Sequence, residues 1–304
     1  MIDYISQDKY SAAKRIWMVC FGDNNDYTDF IFSRLISPSK VLAYTDSDGQ
    51  ISAMLCLQPF TMVSPAGNAD AVYIFGVATL PQWRKQGIAS QLLRETQKRM
   101  LDSGVAVAAL VPAGEKMFPF YEKQGFETTF FVQKKLYTTK DLPTNPRPCE
   151  LKLIALDEML DMRNHYYGGR TFFARWSYEY VKYIGLETQA LGGEILAINC
   201  ENASGYVVCY PYKDSLIIKE LTVSGNIVGD VVAALHTRFG KAGSRLHLPA
   251  DTFDAGSQSN VPFAMLKWYD PAVKDRLSGG KGGSPYIAHV LDGPTLGVSL
   301  KIIP

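Results

Sequence analysis

The sequence predicts an α/β protein with a mixed α+β sheet, organised as two domains of which the second is a degenerate repeat of the first. Three observations predict it. Residues 71–126 read as strand, turn, amphipathic helix, strand and short late helix. A Pro-rich polar connection follows at 138–148. The same order of elements then recurs beyond it, and internal repetition of that kind decides architecture.

In chain order, Ile16-Trp17 through Cys20-Phe21-Gly22-Asp23 begins a helical region, and residues 41–44 and 51–59 read as a hairpin around Asp48-Gly49. Residues 71–78 (Ala-Val-Tyr-Ile-Phe-Gly-Val-Ala) are rich in β-branched and aromatic side chains and are bounded by Pro81, which reads as a buried strand. Gly76 inside it marks a bulge or a close approach of backbone or ligand. Ala89, Leu92, Leu93, Thr96 and Met100 then fall on one stripe of a helix. The turn before it, Arg84-Lys85-Gln86-Gly87-Ile88-Ala89, delivers unpaired backbone N–H groups to the positive end of a helix dipole, which makes an anion site. Gly87 permits close approach or positive φ, Ala89 is too small to obstruct, and Arg84 and Lys85 add charge. Residues 105–111 form a second apolar strand placed for a parallel crossover. Pro119 begins a short helix that Gly125 ends, with Phe126 as the apolar residue beside the cap.

These residues resemble the GNAT superfamily of acyl-coenzyme A N-acyltransferases over about residues 1–136. Val77-Ala78-Thr79 and Arg84-Lys85-Gln86-Gly87-Ile88-Ala89 match its cofactor motif, and Phe120-Tyr121-Glu122-Lys123-Gln124-Gly125-Phe126 its late helix. The resemblance implies acetyl-CoA as cosubstrate, bound by Val77, Ala78, Thr79, Arg84, Lys85, Gln86, Gly87, Ile88 and Ala89. It implies Tyr121 as the acid for the departing thiolate. A phenol of intrinsic pKa near ~10 stays protonated at neutral pH where a thiol of ~8.5 begins to ionise. Many members carry a Glu on the strand before the cofactor turn, and residues 71–78 contain none. Asp70 at its edge and Glu115 before the late helix read as solvated acids; a water chain or the Pro304 carboxylate is the remaining route. No base is assigned.

The expected domains are 1–137, a linker at 138–149, and 150–304. In the last, residues 193–199 and 205–210 read as a hairpin, 215–223 as a strand, 228–239 as a helix, 245–248 as a strand and 262–268 as the counterpart of the late helix. The turn of this copy, Val223-Ser224-Gly225-Asn226-Ile227-Val228-Gly229-Asp230, has no Arg or Lys, and Asp230 repels phosphate. The tandem arrangement resembles the enhanced-intracellular-survival acetyltransferases, in which a third, sterol-carrier-like domain supplies a terminal carboxylate as base. Pro304 leaves no room for that domain, so its carboxylate is not carried over. An unrelated α+β second domain is the competing reading.

Composition fits a cytoplasmic enzyme: 304 residues, 47% hydrophobic, 20% charged, net charge +1. No basic stretch interleaved with aromatics points to nucleic acid, no apolar run reaches membrane-spanning length, and Met1-Ile2-Asp3-Tyr4 does not begin a signal peptide. The five cysteines, an odd number without metal spacing, read as buried thiols in a reducing compartment. The histidines (His165, His236, His247, His289) have no metal spacing, and no metal is expected. The aromatic segment 165–176 reads as interdomain packing ahead of an acceptor pocket, and Ser278-Gly279-Gly280-Lys281-Gly282-Gly283-Ser284 as a flexible loop rather than a phosphate loop. The activity expected is acetyl transfer to a primary amine of a small molecule or peptide. The alternatives are a coenzyme A-binding sensor or scaffold without turnover, and a partner-binding module. The acceptor and the oligomeric state are not legible in the sequence.

Overall fold

Strand β1 (Ile2–Tyr4) is followed by helices α1 (Tyr10–Phe21) and α2 (Asn25–Arg34) in the computed structural model, which describes residues 1–201, 203–250, 252 and 260–279. The stretch 16–23 therefore ends one helix instead of beginning one, which corrects the expectation. Gly22 takes the left-handed conformation (φ 76°) and returns its N–H to Met18 O, while the Asn24 side chain accepts from Tyr27 N–H and starts α2.

The hairpin forms as β2 (Val41–Thr45) and β3 (Ile51–Ser64), its turn held by Asp46 Oδ1 accepting from the N–H groups of Asp48 and Gln50. β4 (Gly67–Thr79) returns antiparallel to β3, α3 (Ile88–Asp102) crosses over, and β5 (Val107–Leu110) lies parallel to β4. The late helix is α4 (Phe118–Glu122), and β6 (Glu127–Thr138) leads out of the first half.

The second half contains β7 (Glu150–Leu153), α5 (Leu156–Tyr167), β8 (Phe173–Arg175), α6 (Tyr178–Ala190), β9 (Glu194–Cys200), β10 (Ala203–Tyr212), β11 (Ser215–Leu221), α7 (Val228–Phe239), β12 (Gly243–Pro249), β13 (Asn260–Trp268) and α8 (Pro271–Ser278). The hairpin, the long strand, the helix and the strand after it stand where the pattern places them. Residues 262–268 do not form a helix; they belong to β13, which pairs antiparallel with both β5 and β6. The reason is long-range: without β13 the facing edges of β5 and β6 carry unpaired backbone groups, which a strand satisfies and a helix does not.

All strands join one mixed sheet in the order β1-β2-β3-β4-β5-β13-β6-β12-β11-β10-β9-β7, with β8 added to β3. α3 and α4 cover one face of its first half, and α1, α2, α5 and α6 pack with the main core on the other. A separate core lies under α7. The aromatic segment packs between the halves: Trp176 is buried against Phe60, Tyr73 and Tyr180. Arg163 of α5 and Glu220 of β11 form a buried pair at 3.2 Å.

The cysteine reading is corrected. Cys149 and Cys200 are joined in a disulfide, because the register Glu150↔Asn199 sets them side by side at the end of the β7–β9 ladder. Cys20, Cys56 and Cys209 are free. Residues 280–284 of the Gly-rich loop, His289 and Pro304 lie outside the described residues.

Candidate active site

The anion-binding turn is built from backbone conformation. A single 3-10 turn at Pro81–Trp83 ends β4, then Lys85 (φ 63°) and Gly87 (φ 76°) both adopt left-handed geometry immediately before α3. Successive residues of alternating hand turn their N–H groups to one side. The first bond of α3 runs from Gln91 N–H to Gly87 O at 3.0 Å, so the N–H groups of Ile88, Ala89 and Ser90 precede any intrahelical acceptor. A Cβ added at Gly87 would meet nothing within 4 Å, so its glycine is needed for the positive φ and not for local space. Arg84, Lys85 and Gln86 are exposed around this concavity. Arg84 Nε donates to Thr79 O at 3.0 Å, which anchors the turn to the end of β4. Ile88 is buried in the core beneath α3, and Ala89 is half-buried.

β4 diverges from β5 just before this turn. Their parallel register covers only Ala71–Tyr73 against Val107–Ala109, while β4 continues to Thr79 and β5 pairs with β13 on its other side. Between the pairs Cys56↔Phe75 and Met54↔Ala78, Gly76 and Val77 oppose the single residue Leu55. That is the expected bulge, and Gly76 has φ 58°. What comes close to Gly76 is the Trp17 ring: an added Cβ would lie 2.6 Å from it. The bulge turns the backbone of residues 76–79 toward the space β5 has left. Val77 faces the α3 side, and Ala78 is buried in the core of the other face.

Tyr121 sits on the α3 side, in the same apolar cluster as Ile88 and Val77. Its ring is buried edge-on to Phe120 (centroids 5.0 Å) and Phe126 (5.9 Å). Gly125 (φ 83°) closes α4 and lets Phe126 N–H return to Tyr121 O at 3.1 Å. Burial pushes the phenol up to about 12. Its hydroxyl has no hydrogen-bond partner among the described residues.

Both acids flagged in the sequence, Asp70 and Glu115, are exposed, and Asp70 lies at the end of β4 remote from the turn. Sequence reasoning missed Asp23. This carboxylate is buried between α1 and α2, accepts from Trp17 Nε1 at 2.7 Å, and is raised above the usual carboxylate range by desolvation. One indole ring therefore separates it from the bulge. Nothing in local sequence distinguishes it from an ordinary helix-terminal acid.

At the turn before α7 the preceding segment packs close. Asp230, buried in the first turn of α7, accepts from Arg147 N (2.8 Å) and Nε (2.9 Å). A Cβ at Gly229 would lie 3.1 Å from Pro143.

Residues 1–129 match the family described as acetyltransferase (GNAT) domain. No curated protein matches the sequence. Solved structures share the fold across both halves. The chain is similar to a GCN5-related N-acetyltransferase from Anabaena variabilis at 13% identity, covering 89% of this chain and 73% of that one with a TM-score of 0.70. A GCN5-related N-acetyltransferase from Kribbella flavida gives 17% identity, 89% and 72% coverage and 0.67. Eis1 from Mycobacterium abscessus gives 12%, 89%, 74% and 0.65.

Proposed function

We propose that the chain, whose residues 1–129 match the acetyltransferase (GNAT) domain family, transfers an acetyl group from acetyl-CoA to a primary amine of a small molecule or peptide. The observation that carries this reading is the splayed end of β4 running into the left-handed turn at Lys85–Gly87 and the N-terminus of α3. The turn N–H groups, with Arg84 and Lys85 around them, suit a pyrophosphate, and the freed β4 edge suits the amides of a pantetheine arm. Ile88 and Ala78 act there through the backbone, since their side chains are packed away.

Acetyl-CoA supplies the activated thioester. Backbone N–H groups within residues 76–78 would donate to its carbonyl oxygen as negative charge develops. The attacking amine must be neutral, and Asp23, screened from the bulge by the Trp17 ring and with its affinity for a proton raised by burial, would take that proton through an intervening water. The Tyr121 hydroxyl donates to the leaving sulfur. With the phenol at about 12 it holds its proton against a thiolate of intrinsic ~8.5, so it stabilises the thiolate chiefly as a hydrogen-bond donor. On this reading the second half is a GNAT-like repeat whose own anion turn is closed by Pro143, Arg147 and Asp230.

Calorimetric titration with acetyl-CoA tests the proposal: one site per chain in the micromolar range, about −8 kcal/mol, is expected. Two sites would overturn the closed second turn, and no binding at millimolar concentration would overturn the cofactor assignment. A coenzyme A-binding sensor is the second reading, favoured by the absence of an acid on residues 71–78, the part of β4 that leads into the turn. Tight binding without turnover over a panel of amines would establish it.

A further inference from the structure

A cavity of about 690 Å3 lies at the opposite end of β4 from the turn, between α2, β3 and the segment after β8. Its floor is aromatic: Phe60, Trp176 and Tyr180 are buried, with centroid separations of 5.1 Å for Phe60–Trp176 and 4.4 Å for Trp176–Tyr180. Its wall carries three cations, Arg34, Lys40 and Arg175. Among the described residues the half-buried Lys40 ammonium donates only to neutral oxygens, Gln58 Oε1 at 2.9 Å and Leu35 O at 3.3 Å. Arg175 is half-buried and pairs with no carboxylate among the described residues. Two acids, Asp70 and Glu179, also line the cavity, but both are exposed, where solvent screens them. Cations partly withdrawn from water without a counter-charge leave the fold with a desolvation cost that an incoming anion offsets. Consistent with that, burial lowers the pKa of Lys40. On the same wall, Asn164 Oδ1 is buried with no hydrogen-bond donor.

We propose that this cavity binds a small carboxylate with an apolar body, that body over Pro59, Phe60 and Leu160 and its carboxylate on Lys40 and Arg175. The volume is that of a small-molecule site. The site is distinct from the acyl-transfer site. Asp70 precedes Thr79 by nine residues, roughly 30 Å of extended strand, and the buried rings of Tyr73, Phe75 and Trp17 close the face between them. Both halves contribute: α2 and β3 from one, Asn164, Arg175, Trp176 and Tyr180 from the other. An occupant therefore ties them together.

Indole-3-propionate is the probe, with its neutral amide as control, both titrated calorimetrically into the full chain. Saturable one-to-one binding of the acid is expected, with the amide at least tenfold weaker. Lys40→Met and Arg175→Gln each raise Kd at least fivefold while the ligand-free melting temperature confirms folding. The acid also raises the melting temperature of the wild-type chain, as any ligand selective for the folded state does. No saturation up to about 1 mM, equal binding of acid and amide, or unchanged affinity in both variants overturns the proposal.

Discussion

At position 121 two aromatic neighbours pack a phenol ring whose hydroxyl has no hydrogen-bond partner among the described residues. A buried tyrosine usually bonds its hydroxyl to the protein, which makes the Tyr121 hydroxyl a group to test. Tyr121→Phe is expected to lower kcat roughly tenfold to a hundredfold with acetyl-CoA affinity unchanged, and unchanged kcat removes it from the chemistry. Asp23 is the complementary case. Its carboxyl is raised by desolvation, so the folded state binds the proton more readily than the unfolded state. Stability from this group is present below the usual carboxylate range and is lost as pH rises through the raised value. Asp23→Asn is therefore expected to raise the melting temperature at neutral pH, by about 1–3 °C, with the difference vanishing in acid. It is also expected to remove the acidic limb of kcat/KM and cost at least roughly tenfold in rate. A variant as active as wild type and no more stable at neutral pH would exclude both statements. The short helix that carries Tyr121 and ends at Gly125 was legible because its residues form a motif. Asp23 was not, since its burial depends on Trp17 reaching Gly76 across the core.

Elements were legible where their determinants are local. The helix at Val228–Phe239 and the hairpin at β2–β3 follow from periodicity and turn residues, and the bulge at Gly76 from a glycine inside a strand pattern. The turn before α3 is the most informative element, since two left-handed residues in three positions are a costly way to begin a helix unless the exposed N–H groups are used. Gly87→Glu puts a side chain at φ 76° and a negative charge at the helix N-terminus. It is expected to abolish measurable acetyl-CoA binding while the chain stays folded, as the open space around that position allows. Retained affinity in a titration would mean that the pyrophosphate lies elsewhere. What failed at this scale was residues 262–268. A short apolar run satisfies helix and strand templates alike, and its state is set by β5 and β6, more than a hundred residues earlier in the chain.

Across the whole molecule the sheet of the first half is completed by a strand from the second. β13 fills the gap between β5 and β6, burying Ala264, Met265 and Leu266, and Lys267 Nζ donates to Gln124 O at 2.7 Å, steadying the end of the helix that bears Tyr121. β8 extends β3 on the other side of the same sheet. The disulfide belongs to this scale too, because only the β7–β9 register brings Cys149 to Cys200, and no spacing rule in one sequence reveals it. Sequence patterning located the motif-bearing segment at 1–136 but not the strand from the second half that completes its sheet. A fragment of residues 1–138 would expose the β13-facing edges of β5 and β6 together with the apolar surface under β13, an arrangement that promotes association. Expressed alone, it is expected to aggregate or to show no cooperative melting transition, even though it contains every residue assigned to the acyl-transfer site. A monomeric fragment by size-exclusion chromatography, melting cooperatively and binding acetyl-CoA, would show that β13 is an accessory. Failure of the fragment alongside micromolar binding by the full chain would mean that the second half, whatever its own turn has lost, is part of the fold that holds Tyr121 and the splayed β4 in place.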